Sequence, residues 1–319
     1  MNPLCQPYTS FKHVQNISDD FLLNILEANM KTFLDWAFLC VGGWFDAEIN
    51  KETIHGINKH SQLVPVADPD YTDGQVWQSI RKDWVWEKGV SFNGTQPIEI
   101  SIVSVNGTVI PNDKSQYFVN YPQGQIVFNT PQPIDAIIQV EHSYRHIQTY
   151  RASDSPWFNY LQTNTFNTSN PDITRLEDGD WSIAGNHRVQ LPAIIIESVP
   201  RSRSYPYELG NNDIVIEQDI AFYVLAENKN DRNKILDILR LQQDLTFILY
   251  DTNEVSQNDA FPLDHNGDLK TYISLMYPGL VDTYPWRKSF IKNMSLFEID
   301  SVAPEFHRGM ARATIEIIS

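Results

Sequence analysis

Cysteine is nearly missing. Cys5 and Cys40 are the two in 319 residues. Two in so long a chain do not make a disulfide framework, and they point to a reducing compartment. Basic residues are few as well. Lys and Arg number 24 against 40 Asp and Glu, a net charge of 24 − 40 = −16. That excludes nucleic-acid binding through a broad basic face, but it leaves open an acidic channel through which DNA slides. No apolar run is long enough for a membrane span, because Phe21–Val41 is interrupted by Asn24, Glu27, Asn29, Lys31 and Asp35. Met1 to Ser10 has neither a basic start nor an apolar stretch, so no secretion signal is expected. Asn93-Gly-Thr, Asn106-Gly-Thr and Asn293-Met-Ser match a glycosylation pattern. Without a secretion signal the Asn-Gly pairs read as turns.

Recognisable catalytic motifs are missing too. There is no phosphate loop, no Gly-rich dinucleotide turn and no nucleophile elbow. Asp264-His-Asn-Gly-Asp268 resembles the start of a calcium loop. It has Leu269 where that loop needs Gly and Leu275 where it needs Glu, so it reads as a turn. His142 and His146 fall on an expected strand, where four residues span about 13 Å, too far to share a metal. His55 and His60 have no carboxylate pattern around them. Cys40 ends an apolar helix and reads as a buried, inert thiol. Pairs such as Asp68/Asp70 and Asp178/Asp180 are expected by chance among forty acids. The expectation is no catalytic residue, no cofactor and no metal.

What the chain has is material for cores: 42% apolar residues and 12% aromatic ones. Its length suggests about two domains. The best-defined stretch is Leu191–Asp251. An apolar β-run, Leu191 to Glu197, leads into a polar connection from Arg201 to Gly210. A long strand over Asp213–Leu225 follows, then a helix over Asp231–Gln243, then a strand over Thr246–Tyr250. Asp231 suggests itself as the helix N-cap, with Ile235, Ile238 and Leu239 facing a sheet. Further β-runs close the chain at Met294–Asp300 and Arg312–Ile318.

Upstream, residues 1–17 read as an irregular arm. Ser18 caps a helix that runs to about Cys40 and ends at Gly42-Gly43. Its apolar stripe is so wide that it should be buried, by preference in its own subunit. Trp77, Trp84 and Trp86 form a cluster that reads as core or interface, with sugar stacking as the lesser alternative. Residues 88–150 read as a small antiparallel sandwich or barrel. It has hairpins at Asn106-Gly107 and Pro122–Gly124 and a last strand over Asp135–Tyr150. Residues 151–190 read as a functional loop or an arm lying on a partner. Thr252–Asp268 reads as a polar loop and Tyr272–Pro285 as irregular and aromatic.

The hairpin Tyr117-Phe-Val-Asn-Tyr-Pro-Gln-Gly-Gln-Ile-Val-Phe128, with the strand ending Tyr144-Arg-His-Ile-Gln-Thr-Tyr150, resembles virion structural proteins of tailed bacteriophages. The 191–251 unit together with the Ser18–Cys40 helix resembles the tail-terminator, or tail-completion, fold of phage necks. The resemblance covers roughly two thirds of the chain. Simple terminators are much shorter, so the β-rich region would be an insertion. The resemblance implies an α+β fold: a tail-terminator-like antiparallel sheet with packing helices, carrying an inserted small β-sandwich or barrel. The division is then 1–87 (arm and buried helix), 88–150 (inserted β-domain), 151–190 (extended linker) and 191–319 (terminator-like domain). The implied role is non-enzymatic: a six-fold ring of identical copies at the head–tail junction of the virion, bound to neighbouring neck and tail proteins. DNA passes through its lumen without sequence-specific binding, and assembly takes place in the host cytoplasm. A baseplate or fibre-attachment protein is the alternative, and a glycan-binding module a lesser one. Aromatics outside the regular elements are the subunit-interface candidates: Trp157, Phe158, Tyr160, Tyr205, Tyr207, Tyr277, Tyr284 and Trp286.

Overall fold

The computed structural model describes residues 19–53, 56–111, 113–163, 172–176, 179–184, 187–206 and 214–318. Helix α1 spans Asp19–Cys40; Ser18, the expected cap, lies outside the described residues. The far end closes as the glycines suggested. Gly42 N–H donates to the Leu39 carbonyl at 3.0 Å and Gly43 N–H to the Phe38 carbonyl at 2.9 Å. Gly42 sits at φ +81°, a conformation that a side chain would resist. No described helix is long and apolar enough to cross a membrane.

A β-rich unit follows. It contains β1 (Trp44–Ala47), the short pair β2 (Glu52–Thr53) and β3 (Gly56–Ile57), β4 (Gln62–Pro65) and β5 (Val76–Gln78). The hairpin of β6 (Val103–Val105) and β7 (Thr108–Ile110) turns at Asn106-Gly107, both at positive φ. β8 (Tyr117–Asn120) and β9 (Gln125–Phe128) form the second expected hairpin. The single strand expected over Asp135–Tyr150 is three: β10 (Ile138–Val140), β11 (His142–Arg145) and β12 (Gln148–Arg151). Seven of these strands lie in the order β7-β6-β10-β4-β5-β9-β8, and β1 pairs with β11. β4 and β5 are therefore inside this sheet, and a boundary at residue 88 cuts the unit in two. Its core includes Trp77, Trp84 and Trp86, at most 8% exposed. That burial removes the faces on which a sugar would stack.

Residues 151–190 are not an extended arm. They hold α2 (Pro156–Thr163) and a three-stranded sheet of β13 (Ile173–Arg175), β14 (Trp181–Ile183) and β15 (His187–Val189). Trp157, Phe158, Leu161, Trp181 and Phe306 form a core of their own there.

The largest sheet is built from β16 (Ala193–Pro206), β17 (Ile214–Ala226), β18 (Thr246–Tyr250), β19 (Pro285–Ala303) and β20 (Phe306–Ile318). With β12 it has the order β12-β16-β17-β20-β19-β18, and only the β12–β16 pairing is parallel. Strand exceeds helix, 41% to 21%, and the sheets are otherwise antiparallel, which makes the fold mixed α+β. The polar stretch expected to be a connection, Arg201 onward, continues β16 past an irregularity between Ser198 and Ser202. Helix α3 (Lys229–Arg240) is capped by Asn228, whose side chain accepts from Asp231 N–H, so Asp231 lies inside the first turn. Ile235, Leu236 and Leu239 face the sheet, whereas Ile238 is 41% exposed. The expected face was one residue out at that position. The expected loops contain α4 (Thr252–Gln257), capped by Asp251, and α5 (Tyr277–Thr283).

The six-stranded sheet curls into a half-barrel, and α1 bridges its two edges. On one edge, Thr149 of β12 donates to Asp35 and Arg151 lies 3.5 Å from Glu27. On the other, Asn29 accepts from Tyr250 N–H at 2.8 Å and donates to its carbonyl at 3.1 Å. One amide thus satisfies both backbone groups of an edge residue buried under the helix. Only Asn24 and Cys40 are exposed among the α1 side chains described. The thiol expected to be buried is therefore at the surface.

Candidate functional site

Two places hold the chemistry that a partner or ligand could use: the seam where the three sheet-bearing parts meet, and the free edge of the large sheet. The seam is built by α1, the turn after β5 and β11. Arg145, at the end of β11, is 3% exposed. Its Nη2 donates to both Glu87 oxygens at 2.7 Å, its Nε stands 3.3 Å from Asp83, and Asp35 lies at 4.0 Å. Lys31 holds Asp35 at 2.7 Å. Three carboxylates thus share two cations. Burial pushes the Asp83 carboxyl up to about 6, against the pull of Arg145. Burial opposes ionisation of Asp35 as well, but Lys31 and Arg145 hold it below the usual carboxylate range. Asp83 occupies the left-handed region at φ +55°.

Beside this cluster lies a second one. Arg81 reaches Asp180 at 3.3 Å, and Arg188 binds the same carboxylate. Gln190 donates to the Ile80 carbonyl at 2.6 Å and accepts from Lys82 N–H at 3.0 Å. The turn carrying Arg81 is possible because residue 124 is glycine: a Cβ there would meet the Arg81 carbonyl oxygen at 2.6 Å. Sequence reading passed over Arg145, Arg81 and Gln190, since isolated Arg and Gln residues carry no spacing signal. The polar interruptions of α1 are visible in the sequence, but their distant partners are not.

The histidines do not assemble a site. His142 is fully buried, its ring 4.2 Å from that of Trp84, and its Nδ1–H donates to the Val140 carbonyl at 3.2 Å. Burial pushes it down to about 3, so it is neutral. His146 is exposed, edge-on to Phe45 at 5.1 Å, and His55 lies outside the described residues. Among the described residues no three His, Cys, Asp or Glu side chains cluster as metal ligands would. The Asp264–Asp268 segment is a turn, with Asp264 Oδ1 accepting from Asn266 and Asp268 N–H. It belongs to a strap that crosses the β-rich unit, where Gly267 carbonyl accepts from Tyr121 N–H at 3.1 Å. Clefts of about 760 and 590 Å³ flank the strap. Among their charged side chains Lys114 pairs with Asp268 and Lys270 with Asp259.

The eight interface candidates fall into different settings. Trp157 (6% exposed) and Phe158 (3%) are spent on the chain's own core, which takes them out of reach of a neighbour. Tyr160 is half-buried and donates to Asp172. Tyr277 and Tyr284 pack around α5, with Phe33 5.9 Å from Tyr277. Trp286 packs against the α1 core and lies under Arg287 at 4.6 Å. Tyr205 is exposed on the open face of the sheet, its hydroxyl 3.3 Å from Glu217. Tyr207 lies outside the described residues.

The free edge was not anticipated. β18 pairs with β19 only as far as Phe290. From Asn293 to Ile299, β19 pairs with β20 on one side and with no described strand on the other. Leu296 and Phe297 on this stretch are 37% and 45% exposed. Compared with models of known families and with characterised proteins, the chain matches none.

Proposed function

We propose that the chain is a non-enzymatic structural subunit of a tailed-phage virion, a neck or tail-terminator component that closes into a six-fold ring around the DNA channel at the head–tail junction. The observation that carries this reading is the unpaired β19 edge with its exposed Leu296 and Phe297. A lone edge strand exposes backbone donors and acceptors that another chain can pair, a liability that proteins normally block. In a closed ring every copy covers its neighbour's edge in the same way, so no edge is left to recruit a further chain. Two features agree with it. An N-terminal helix locked across a curled antiparallel sheet gives a stiff wedge of the kind a ring requires. A charge of −16 per copy, turned partly toward the lumen, repels phosphate and lets DNA slide. The partners are further copies of the chain and the adjoining neck and tail proteins.

Reconstruction of the intact particle tests the proposal. The expected result is six-fold density for this chain around the channel, with residues 293–299 at the subunit contact. Density in the baseplate or fibres would favour the attachment role instead, and absence from the particle would end both.

A further inference from the structure

Where β1, β11, the turn after β5 and the segment before β16 converge, they enclose a pocket of about 190 Å³ lined by Phe45, Arg81, Tyr144, Arg145, His146 and Gln190. Two guanidinium groups border it. Arg145 is 3% exposed, and its Nη1 is buried without a hydrogen-bond partner; Arg81 Nε is likewise buried and unpartnered. Buried donors left unpaired cost free energy, more when they are charged. Glu87 occupies Arg145 Nη2, and Asp83 stands 3.3 Å from its Nε. Arg81 shares the Asp180 carboxylate with Arg188. Phe45, 49% exposed, and exposed His146 stand at the outer end, edge to face at 5.1 Å. The pocket therefore has a wet end and an inner end bordered by two guanidinium groups, each also paired with carboxylates.

The geometry points to a binding site for one small tetrahedral oxyanion, inorganic phosphate or sulfate, held between Arg81 and Arg145. Planar guanidinium forks suit oxyanions because they present parallel N–H donors. The pocket volume admits a single such ion and excludes a nucleotide. An anion here would pair the buried donors that Arg81 and Arg145 contribute from the β-rich unit.

Thermal melts of the full chain, with phosphate, sulfate or acetate titrated against sodium chloride at constant ionic strength, test this. The expected result is a saturable rise in melting temperature with phosphate and sulfate, as binding to the native state alone requires. Arg81→Gln should abolish the rise while keeping a cooperative melt, and Lys292→Gln, on the remote face of the large sheet, should retain it. Should Arg81→Gln fail to fold, arginine modification by phenylglyoxal on the unaltered chain decides. Phosphate must protect Arg81 and leave exposed Arg203 reactive. Saturation by acetate alone would overturn the tetrahedral assignment. Equal, non-saturating shifts with every salt, or no protection of Arg81, would overturn the site.

Discussion

Asp83 carries the clearest consequence of a single residue. It is an acid whose folded form holds its proton up to about pH 6, against an ordinary value near 4. A raised carboxylate pKa means the native state binds the proton more tightly than the unfolded chain does. Stability contributed by this group is therefore present at low pH and is lost as pH rises from about 4 through about 6. Asn at this position removes the charge and tolerates the positive φ that Asp83 adopts. Asp83→Asn should then match the parent at pH 4 and gain on it through pH 6, reaching on the order of 2 kcal/mol at pH 7. Urea titrations at several pH values read this directly, and a difference independent of pH would show that Asp83 does not titrate there. The residues behind this effect were the least legible in the sequence. Glu27, Asn29 and Asp35 were plain to see as breaks in an apolar helix. Nothing in their spacing says that Glu27 and Asp35 reach one side of the sheet and Asn29 the other, because those partners lie more than a hundred residues away.

At the scale of elements the sequence was a better guide. The α1 end at paired glycines, the two tight hairpins and the strands over 214–226 and 246–250 were all readable, because each depends on local chemistry: a positive φ, a β-branched run or an Asn-Gly turn. Misreadings came where tertiary pairing overrides local character. Ser202–Pro206 is polar enough to read as a loop, yet it pairs with Ile214–Gln218. The α3 face shows the same limit. Ile238 fits a three-to-four spacing as well as Leu236 does, and only the sheet decides between them. Leu239→Ala should cost about 2–5 kcal/mol, since it empties a site 2% exposed. Ile238→Ala should cost less than about 1 kcal/mol, as its side chain is already largely in water. Chemical denaturation that finds the two equal would return Ile238 to the core face.

The parts assemble into a molecule that does not divide where its sequence suggests. Residues 88–150 look separable because their hairpins are local, but the structure ties them in at three places. β12 is a strand of the large sheet, paired in parallel with Ala193–Ile196. Arg145 sits buried against Glu87, Asp83 and Asp35, so its loss leaves three carboxylates with only Lys31. Met276, Leu263 and Leu269 from the strap pack on the β-rich core. Removing one member of a buried ion cluster costs several kcal/mol, because the remaining charges stay desolvated. That approaches the whole stability of an ordinary domain. Replacing residues 88–150 with a short Gly/Ser linker should therefore abolish cooperative unfolding of the remainder, whereas a chain that folded in modules would keep its melt. Calorimetry separates the two. A single sharp transition surviving the deletion would mean that α1 and the large sheet hold without β12, and that the seam joins two bodies which fold apart.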